Sequence, residues 1–427
     1  MVQVLKSWFR WFIYFLFGSC LFEECNGIVR STAKCGSVFI TVSSLKGSYI
    51  ELNWETDCRT NEIQPDTIAL YNKDIRNKTQ EDFILYAEIK AANHPNGFYR
   101  TRTSFNLTQW PTSWRYNSTS LKEYGPQNLS YWIVAYSDTD QIIDIQPLKL
   151  QPTWMSDNRE KLQSYHLGSI VIPGTHDSGC YGGLRIIEDY VLTQDMPIWY
   201  QLVAGIRYLD LRVAYHQDEM FWVNHDFIKV RKIQIIYDQI KEFIRRSPGE
   251  IIIVDFHRFP FPSVWSRFLH EKFINYTLSQ LGAYAFPKNG PRHSKGPVLE
   301  KIWSARKNII FTYADKHYTA KYPELWDPIP QAWADTLNVD TLKKYLESSL
   351  HNKSEHAVFS ALMAELTPRF IDIFTGTNTL RELANNVNSN VTKWVRDEWN
   401  RRVNIITSDY FLGNNLINVA IDINRNR

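Results

Sequence analysis

The sequence predicts an α/β protein of two parts: an N-terminal antiparallel β-sandwich over residues 26–152, and a β/α barrel over residues 153–427. Three observations carry this. Before Pro152 the apolar residues fall into short alternating runs separated by turn residues, the pattern of half-buried antiparallel strands. After Trp154 strand-like runs alternate with helical stretches, the pattern of a parallel sheet covered by helices. The whole chain of 427 residues exceeds the usual size of one domain, whereas its second part matches a β/α barrel of about 250 residues. A doubly wound sheet fits the same alternation, but no glycine-rich phosphate loop follows any of the strands.

In chain order, Lys6 and Arg10 precede "WFIYFLFGSCLF", which is too short to span a bilayer and leads into "EECNG". This predicts a signal peptide over residues 1–25 with cleavage near Cys20, and hence secretion; an uncleaved anchor over Trp8 to Phe22 is the alternative. The sandwich strands are "VFITV", "YIELNW", "TIALYN", "FILYAEI", "YWIVAYS" and "IIDIQPLKL". Cys35 and Cys58 flank the first two, and in an oxidising compartment they predict a disulfide closing that hairpin. Seven Asn-x-Ser/Thr sites, at Asn77, Asn106, Asn117, Asn128, Asn275, Asn352 and Asn390, predict a glycoprotein. Cys25 has no evident partner. Cys180 reads as a buried thiol or half of a bridge, since no His-Cys arrangement supports a nucleophile.

Barrel strands are assigned to "SIVIPG", "GIRYLDLRV", "MFWVNH", "EIIIVDFHRF", "NIIFTYAD", "ALMAELTP" and "VNIITSDYF". "IQIIYDQIKEFIRRS" and "NVTKWVRDEWNRR" carry helical periodicity, and Trp333, Trp394 and Trp399 read as core. The formal net charge of +3 comes from nearly balanced acids and bases with no basic run, which leaves no footprint for nucleic acid.

Several strands end on ionisable residues, where barrel enzymes place reacting groups. "SIVIPGTHDSG" ends on His176 and Asp177, "FWVNHDF" on His225 and "VNIITSDYF" on Asp409. In "YLDLRV" the period of two puts Asp210 and Arg212 on one face. Two imidazoles, carboxylates behind them and a guanidinium are what metal-free phosphodiester cleavage needs. One His takes a proton from an attacking hydroxyl, the other protonates the leaving oxygen, and the Arg stabilises phosphorane charge. Asp210-x-Arg212 stands where a metal-dependent barrel would carry a Glu-x-Asp pair, so the fixed cation takes the metal's place and no cofactor is called for.

"IPGTHDSG", "QLVAGIRYLDLRV", "VNHDF", "PGEIIIVDFHRF" and "VNIITSDYF", in this order and spacing, resemble the X-domain family of phosphatidylinositol-specific phospholipase C. The likeness covers about Trp154 to Leu412 and is to the secreted animal proteins with an X domain alone, themselves similar to the bacterial enzymes. It implies that His176 is the general base on the inositol 2-hydroxyl, oriented by Asp409, that Arg212 holds the phosphate, and that His225 with Asp177 protonates the diacylglycerol oxygen. Asp210 would support Arg212 or the acid pair. His257 stands where relatives carry a Lys, Glu or Asn that contacts inositol or calcium, and is the candidate headgroup contact. The implied substrate is an inositol phospholipid, glycosylated or not, met at a transient membrane surface, with diacylglycerol and a cyclic inositol phosphate as products. The stretch "PDTIALYN" with "YWIVAYSDTD" resembles the immunoglobulin-like modules that precede catalytic domains in some phosphoinositide enzymes. In "RFPFPSVWSRF", Phe259, Phe261, Val264 and Trp265 either dip into a membrane interface or start a helix packed on the barrel. Two other functions compete: a metal-dependent phosphodiesterase on a similar barrel, and a non-catalytic headgroup-binding or adhesion glycoprotein.

Overall fold

Strands β1 (Val38–Val42) and β2 (Tyr49–Trp54) form an antiparallel hairpin bracketed by the Cys35–Cys58 disulfide, as the spacing of the two cysteines predicts. This is a computed structural model, and it describes residues 33–76, 83–106, 110–116, 127–182, 188–288, 293–351 and 357–427. The predicted signal peptide with Cys20 and Cys25, and sequon residues Asn77, Asn117 and Asn352, lie outside the described residues. Strands β3 (Thr67–Tyr71), β4 (Leu85–Lys90), β5 (Phe98–Ser104), β6 (Gln127–Tyr136) and β7 (Ile142–Leu150) complete the N-terminal part. All pairings are antiparallel, in two sheets of order β1-β2-β5 and β4-β3-β6-β7.

Alternation decides what each sheet buries. Ile50, Leu52 and Trp54 of β2 join Ile68 and Leu70 of β3 and Ile133 and Ala135 of β6 in one core. The other face of the β1-β2-β5 sheet is polar, yet Glu51 and Asn53 are buried. Arg100 Nε reaches Glu51 at 2.9 Å, and Arg396 Nη2 reaches Glu55 at 2.9 Å from the barrel side. That explains why β5, "FYRTRTS", escapes sequence reading: Arg100 pairs with Glu51 within the fold and Arg102 faces outward, so apolar alternation is absent.

The second part begins with β8 (Ile172–Thr175) and β9 (Tyr208–Tyr215), followed by β10 (Phe221–His225) and β11 (Ile228–Lys232). Here the structure corrects the sequence reading, because β10 is antiparallel to β9 and to β11 and is not a barrel strand. Only His216 to Met220 separate β9 from β10, and a parallel crossover needs a dozen or more residues. The parallel sheet continues through β12 (Ile252–Arg258), β13 (Ile309–Tyr313), β14 (Leu325–Trp326), β15 (Gln331–Ala332), β16 (Ala361–Met363) and β17 (Ile405–Ser408). Its order is β14-β13-β12-β9-β8-β17-β16-β15, and among the described residues no ladder joins β14 to β15. The barrel is thus a curled sheet left open at one seam.

Helices α1 (Ile198–Ala204), α2 (Ile233–Arg246), α3 (Arg267–Leu281), α4 (Val339–His351), α5 (Phe370–Thr375), α6 (Leu380–Lys393) and α7 (Leu416–Arg425) belong to this part. α2 buries Ile233, Ile236, Tyr237, Ile240, Phe243 and Ile244, a three-and-four spacing that makes one apolar stripe. Trp394 and Trp399 are buried beyond α6, as expected. Gly205 ends α1 at φ 130°, a left-handed backbone that favours glycine.

The two ends of the barrel divide their work. Arg207 and Glu250, each just before a strand, form a fully buried ion pair at 2.7 Å, and Arg207 also donates to the carbonyls of Pro152, Leu202 and Ile206. This anchors the N-terminal rim, which in such barrels carries stability, while the C-terminal rim carries chemistry.

Candidate active site

At the C-terminal ends of the parallel strands lies a cavity of about 300 Å³ lined by His176, Arg212, His225, His257, Glu365 and Asp409. A larger cleft of about 1000 Å³ runs between β1, β7 and the C-terminal helix, but its lining includes no histidine. The smaller cavity is where the ionisable groups converge. Among the described residues, no cluster of His, Cys, Asp and Glu has the arrangement of a metal site.

His176 follows β8, and Gln194 fixes its backbone by donating from Nε2 to the carbonyls of His176 and Ser408 at 3.1 and 2.9 Å. Asp409 follows β17, the parallel neighbour of β8, so the two side chains meet with Nδ1 2.8 Å from Oδ1. The carboxylate accepts a hydrogen bond from Nδ1–H, which keeps the proton on that nitrogen and fixes the tautomer. On the other side Arg212 Nη2 lies 2.6 Å from Nε2. Arg can only donate, so the Nε2 lone pair accepts from Arg212 and the imidazole stands in its base form. Burial lowers the affinity of His176 for a proton, but Glu365 and Asp409 outweigh it and raise the pKa to about 9. That bias favours the protonated ring at neutral pH, against the base form that the Arg212 contact requires; the contact sets the resting form, and the two carboxyls hold a proton once the ring has taken it.

Asp177 is fully buried, and its Oδ2 lies 3.5 Å from Arg212 Nη1 and 4.0 Å from His225 Nε2. Burial pushes its carboxyl up to about 6, against the pull of Arg212. Asp210 Oδ2 accepts the Asp177 backbone N–H at 3.0 Å, so Asp210 holds the loop that presents Asp177. Burial would neutralise Asp210, but Arg212, His257 and His176 keep it below the usual carboxylate range. His225 ends β10, where burial, Arg212 and His176 all lower its pKa, to about 3.

Every residue singled out from the sequence, His176, Asp177, Asp210, Arg212, His225, His257 and Asp409, therefore sits in or beside one cavity. One local device recurs: the residues following His176, His225 and Asp409 are Asp177, Asp226 and Tyr410, with φ of 37°, 48° and 45°. Left-handed backbone in non-glycine residues is costly and gathers at functional sites. Here it turns the chain sharply after each of the three.

Cys180 is a buried free thiol, held protonated by burial and the neighbouring Asp177 charge. Trp333 departs from expectation: it is 38% exposed at the cavity mouth rather than core. Two groups were not visible in the sequence. Gln331 bridges Tyr208 and Asp255 beneath the cavity, its Nε2 3.0 Å from the Tyr208 hydroxyl. Glu365 extends β16 into the site; the strand-end position was its only signal, because no second ionisable residue marks "ALMAELTP".

No family model matches the chain. In sequence it is similar to mouse PI-PLC X domain-containing protein 1, with 22% identity over 311 residues, 65% of this chain and 88% of the relative. Mouse PI-PLC X domain-containing protein 2 is 26% identical over 295 residues, 60% of this chain and 83% of the relative. Among solved structures, phosphatidylinositol-specific phospholipase C from Listeria monocytogenes aligns with a TM-score of 0.48 at 20% identity, covering 64% of this chain and 98% of that one.

Proposed function

Starting from a chain related in sequence to the PI-PLC X domain-containing proteins, we propose that it cleaves an inositol phospholipid to diacylglycerol and a cyclic inositol phosphate. The observation that carries this is His176 held between Asp409 at Nδ1 and Arg212 at Nε2, with His225 across the same cavity. Arg212 leaves Nε2 of His176 as it takes the phosphate, Nε2 then removes the proton of the inositol 2-hydroxyl, and that oxygen attacks phosphorus. The phosphorus–oxygen bond to diacylglycerol breaks, and the departing oxygen takes its proton from His225. Arg212 holds the non-bridging oxygens, with Asp177 and Asp210 balancing its charge. His225 is neutral in the resting site, and the phosphodiester anion seated on Arg212 is the negative charge that lets it take up a proton. His257, at the end of β12, faces the headgroup.

The loop after β12 divides between its two sequence readings. Phe259 and Trp265 pack on each other with ring centroids 4.4 Å apart, while Phe261 and Val264 are 71% and 91% exposed. On α5, whose Ile373 lines the cavity, Phe370 and Phe374 are 77% and 72% exposed. We read these residues as the membrane-facing surface. Each fully buried Phe contributes about 1.5–3 kcal/mol, so Phe370→Ser/Phe374→Ser lowers partitioning onto phosphatidylinositol vesicles at least ~10-fold, measured by vesicle co-sedimentation. Unchanged partitioning contradicts the assignment.

The wider reading is a secreted glycoprotein, with residues 26–152 an immunoglobulin-like module and 153–427 the phosphodiesterase. Sequon residues Asn106, Asn128 and Asn275 are exposed and Asn390 half-buried. The test of function is diacylglycerol release from phosphatidylinositol vesicles in excess chelator. Release supports the metal-free reading, loss only on chelation supports a metal-dependent phosphodiesterase, and headgroup binding without release supports a binding protein.

A further inference from the structure

The cleavage scheme gives no role to the N-terminal part, yet the turn after β1 reaches the back of the active site. α6 meets that part along one side: Arg381, Asn385 and Asn388 follow a spacing of four and three, which puts them on one face of the helix. Asn385 accepts from Arg100 of β5. Arg381 Nη1 donates to the Ser44 carbonyl at 2.9 Å, its Nη2 lies 2.5 Å from Asp195, and its guanidinium carbon lies 4.5 Å from the centre of the Tyr410 ring. The buried amide of Asn388 lies 3.4 Å from Ser44 Oγ and donates to the carbonyls of Asp409 and Tyr410 at 3.1 and 3.3 Å. The approach is close enough to demand glycine at position 413, where a Cβ would stand 2.6 Å from Ser44 Oγ and 2.8 Å from Asn388 Nδ2. What these contacts hold is the left-handed step at Tyr410, φ 45°, beside which Asp409 meets His176 Nδ1. Such backbone persists only where its surroundings over-determine it.

We infer that the N-terminal part completes the active site: the turn after β1 and α6 together hold the Asp409–Tyr410 backbone, and Ser44, Arg381 and Asn388 are positioning residues for the general base. The inference rests on the cleavage reading above for the role of His176. All three act through Asp409. Against burial, Glu365 and Asp409 raise the His176 pKa, and Arg212 lowers it. Loosening the turn therefore lowers that pKa and misplaces the ring.

The test titrates the His176 ring by NMR in the lipid-free protein and measures diacylglycerol release from phosphatidylinositol vesicles, in wild type, Asn388→Ala, Gly413→Ala and Gly413→Ala/Ser44→Gly. Asn388→Ala frees the Asp409 carbonyl, and Gly413→Ala wedges the turn off α6. Each lowers the His176 midpoint by about one pH unit, a part of the roughly 1–3 units that a neighbouring opposite charge supplies. Each also lowers kcat roughly 10- to 100-fold, the cost of a misplacement of about 1 Å, with KM unchanged. Ser44→Gly removes the atom that the new methyl meets first, and restores part of both in the double variant. Glu55→Gln, which weakens the Arg396 contact elsewhere on the same interface, changes neither. A His176 midpoint unmoved in Asn388→Ala, or moved equally by Glu55→Gln, overturns the inference, as does a Gly413→Ala effect that Ser44→Gly leaves untouched. The shifts without lipid turnover by the wild type keep the positioning role and overturn the cleavage reading, and turnover without the shifts does the reverse. Neither shifts nor turnover overturns both.

Discussion

His176→Ala lowers kcat for diacylglycerol release by about 10²–10⁴-fold, the contribution of one positioned general base, with vesicle binding intact. The side chain is 9% exposed and touches Asp409, Arg212 and the cavity rather than the hydrophobic core, so the fold survives its loss. Alanine removes the acceptor for the attacking hydroxyl's proton without touching Arg212 or His225. Assay of release from phosphatidylinositol vesicles, beside co-sedimentation of the same variant, separates chemistry from binding. Loss of both together contradicts the role of base.

The second large effect belongs to Arg212. Its guanidinium points Nη2 at His176 and Nη1 at Asp177, two directions that a lysine ammonium on one stem does not serve together. Arg212→Lys retains the charge between Asp177 and Asp210, which itself holds the guanidinium more firmly protonated against the effect of burial. It loses the fork that cradles the phosphorane oxygens, and kcat falls by roughly 10²–10³-fold, the usual cost of losing one oxyanion donor. Arg212→Met instead leaves Asp177 and Asp210 buried without their cation, a loss of partner that typically costs about 3–5 kcal/mol. Thermal unfolding therefore distinguishes the two: Met lowers Tm and Lys leaves it near wild type. Equal activity in wild type and Arg212→Lys contradicts the phosphate role.

Much of the site is written locally in the sequence. A run such as "VNIITSDYF" can be seen to carry an apolar strand that ends on a carboxylate, and "YLDLRV" puts Asp210 and Arg212 on one face because a strand has a period of two. The pairing of His176 with Asp409 is not local: it depends on β17 returning beside β8, which spacing alone does not reveal. Three other features were hidden for different reasons. β10 reads as a barrel strand because its apolar run is indistinguishable from a parallel one, and only the five-residue connection marks the hairpin. β14 and β15 are two residues each, below any periodicity. Trp333 reads as core together with Trp394 and Trp399 because an aromatic stripe at helical spacing usually is, yet it stands at the mouth beside Arg258, whose guanidinium lies 5.5 Å from its ring. Glu365 shares the second of these difficulties, since it stands beyond a strand of only three residues.

The measurement that tests the account most directly is phosphorus NMR of the first water-soluble product released from phosphatidylinositol vesicles in excess chelator. Attack by the inositol 2-hydroxyl gives a five-membered cyclic phosphodiester before any monoester, and this is the result predicted for the wild type. An acyclic inositol monophosphate as the first product, with no cyclic intermediate at early times, would mean that water is the nucleophile, and would contradict the assignment of His176 to the ring hydroxyl.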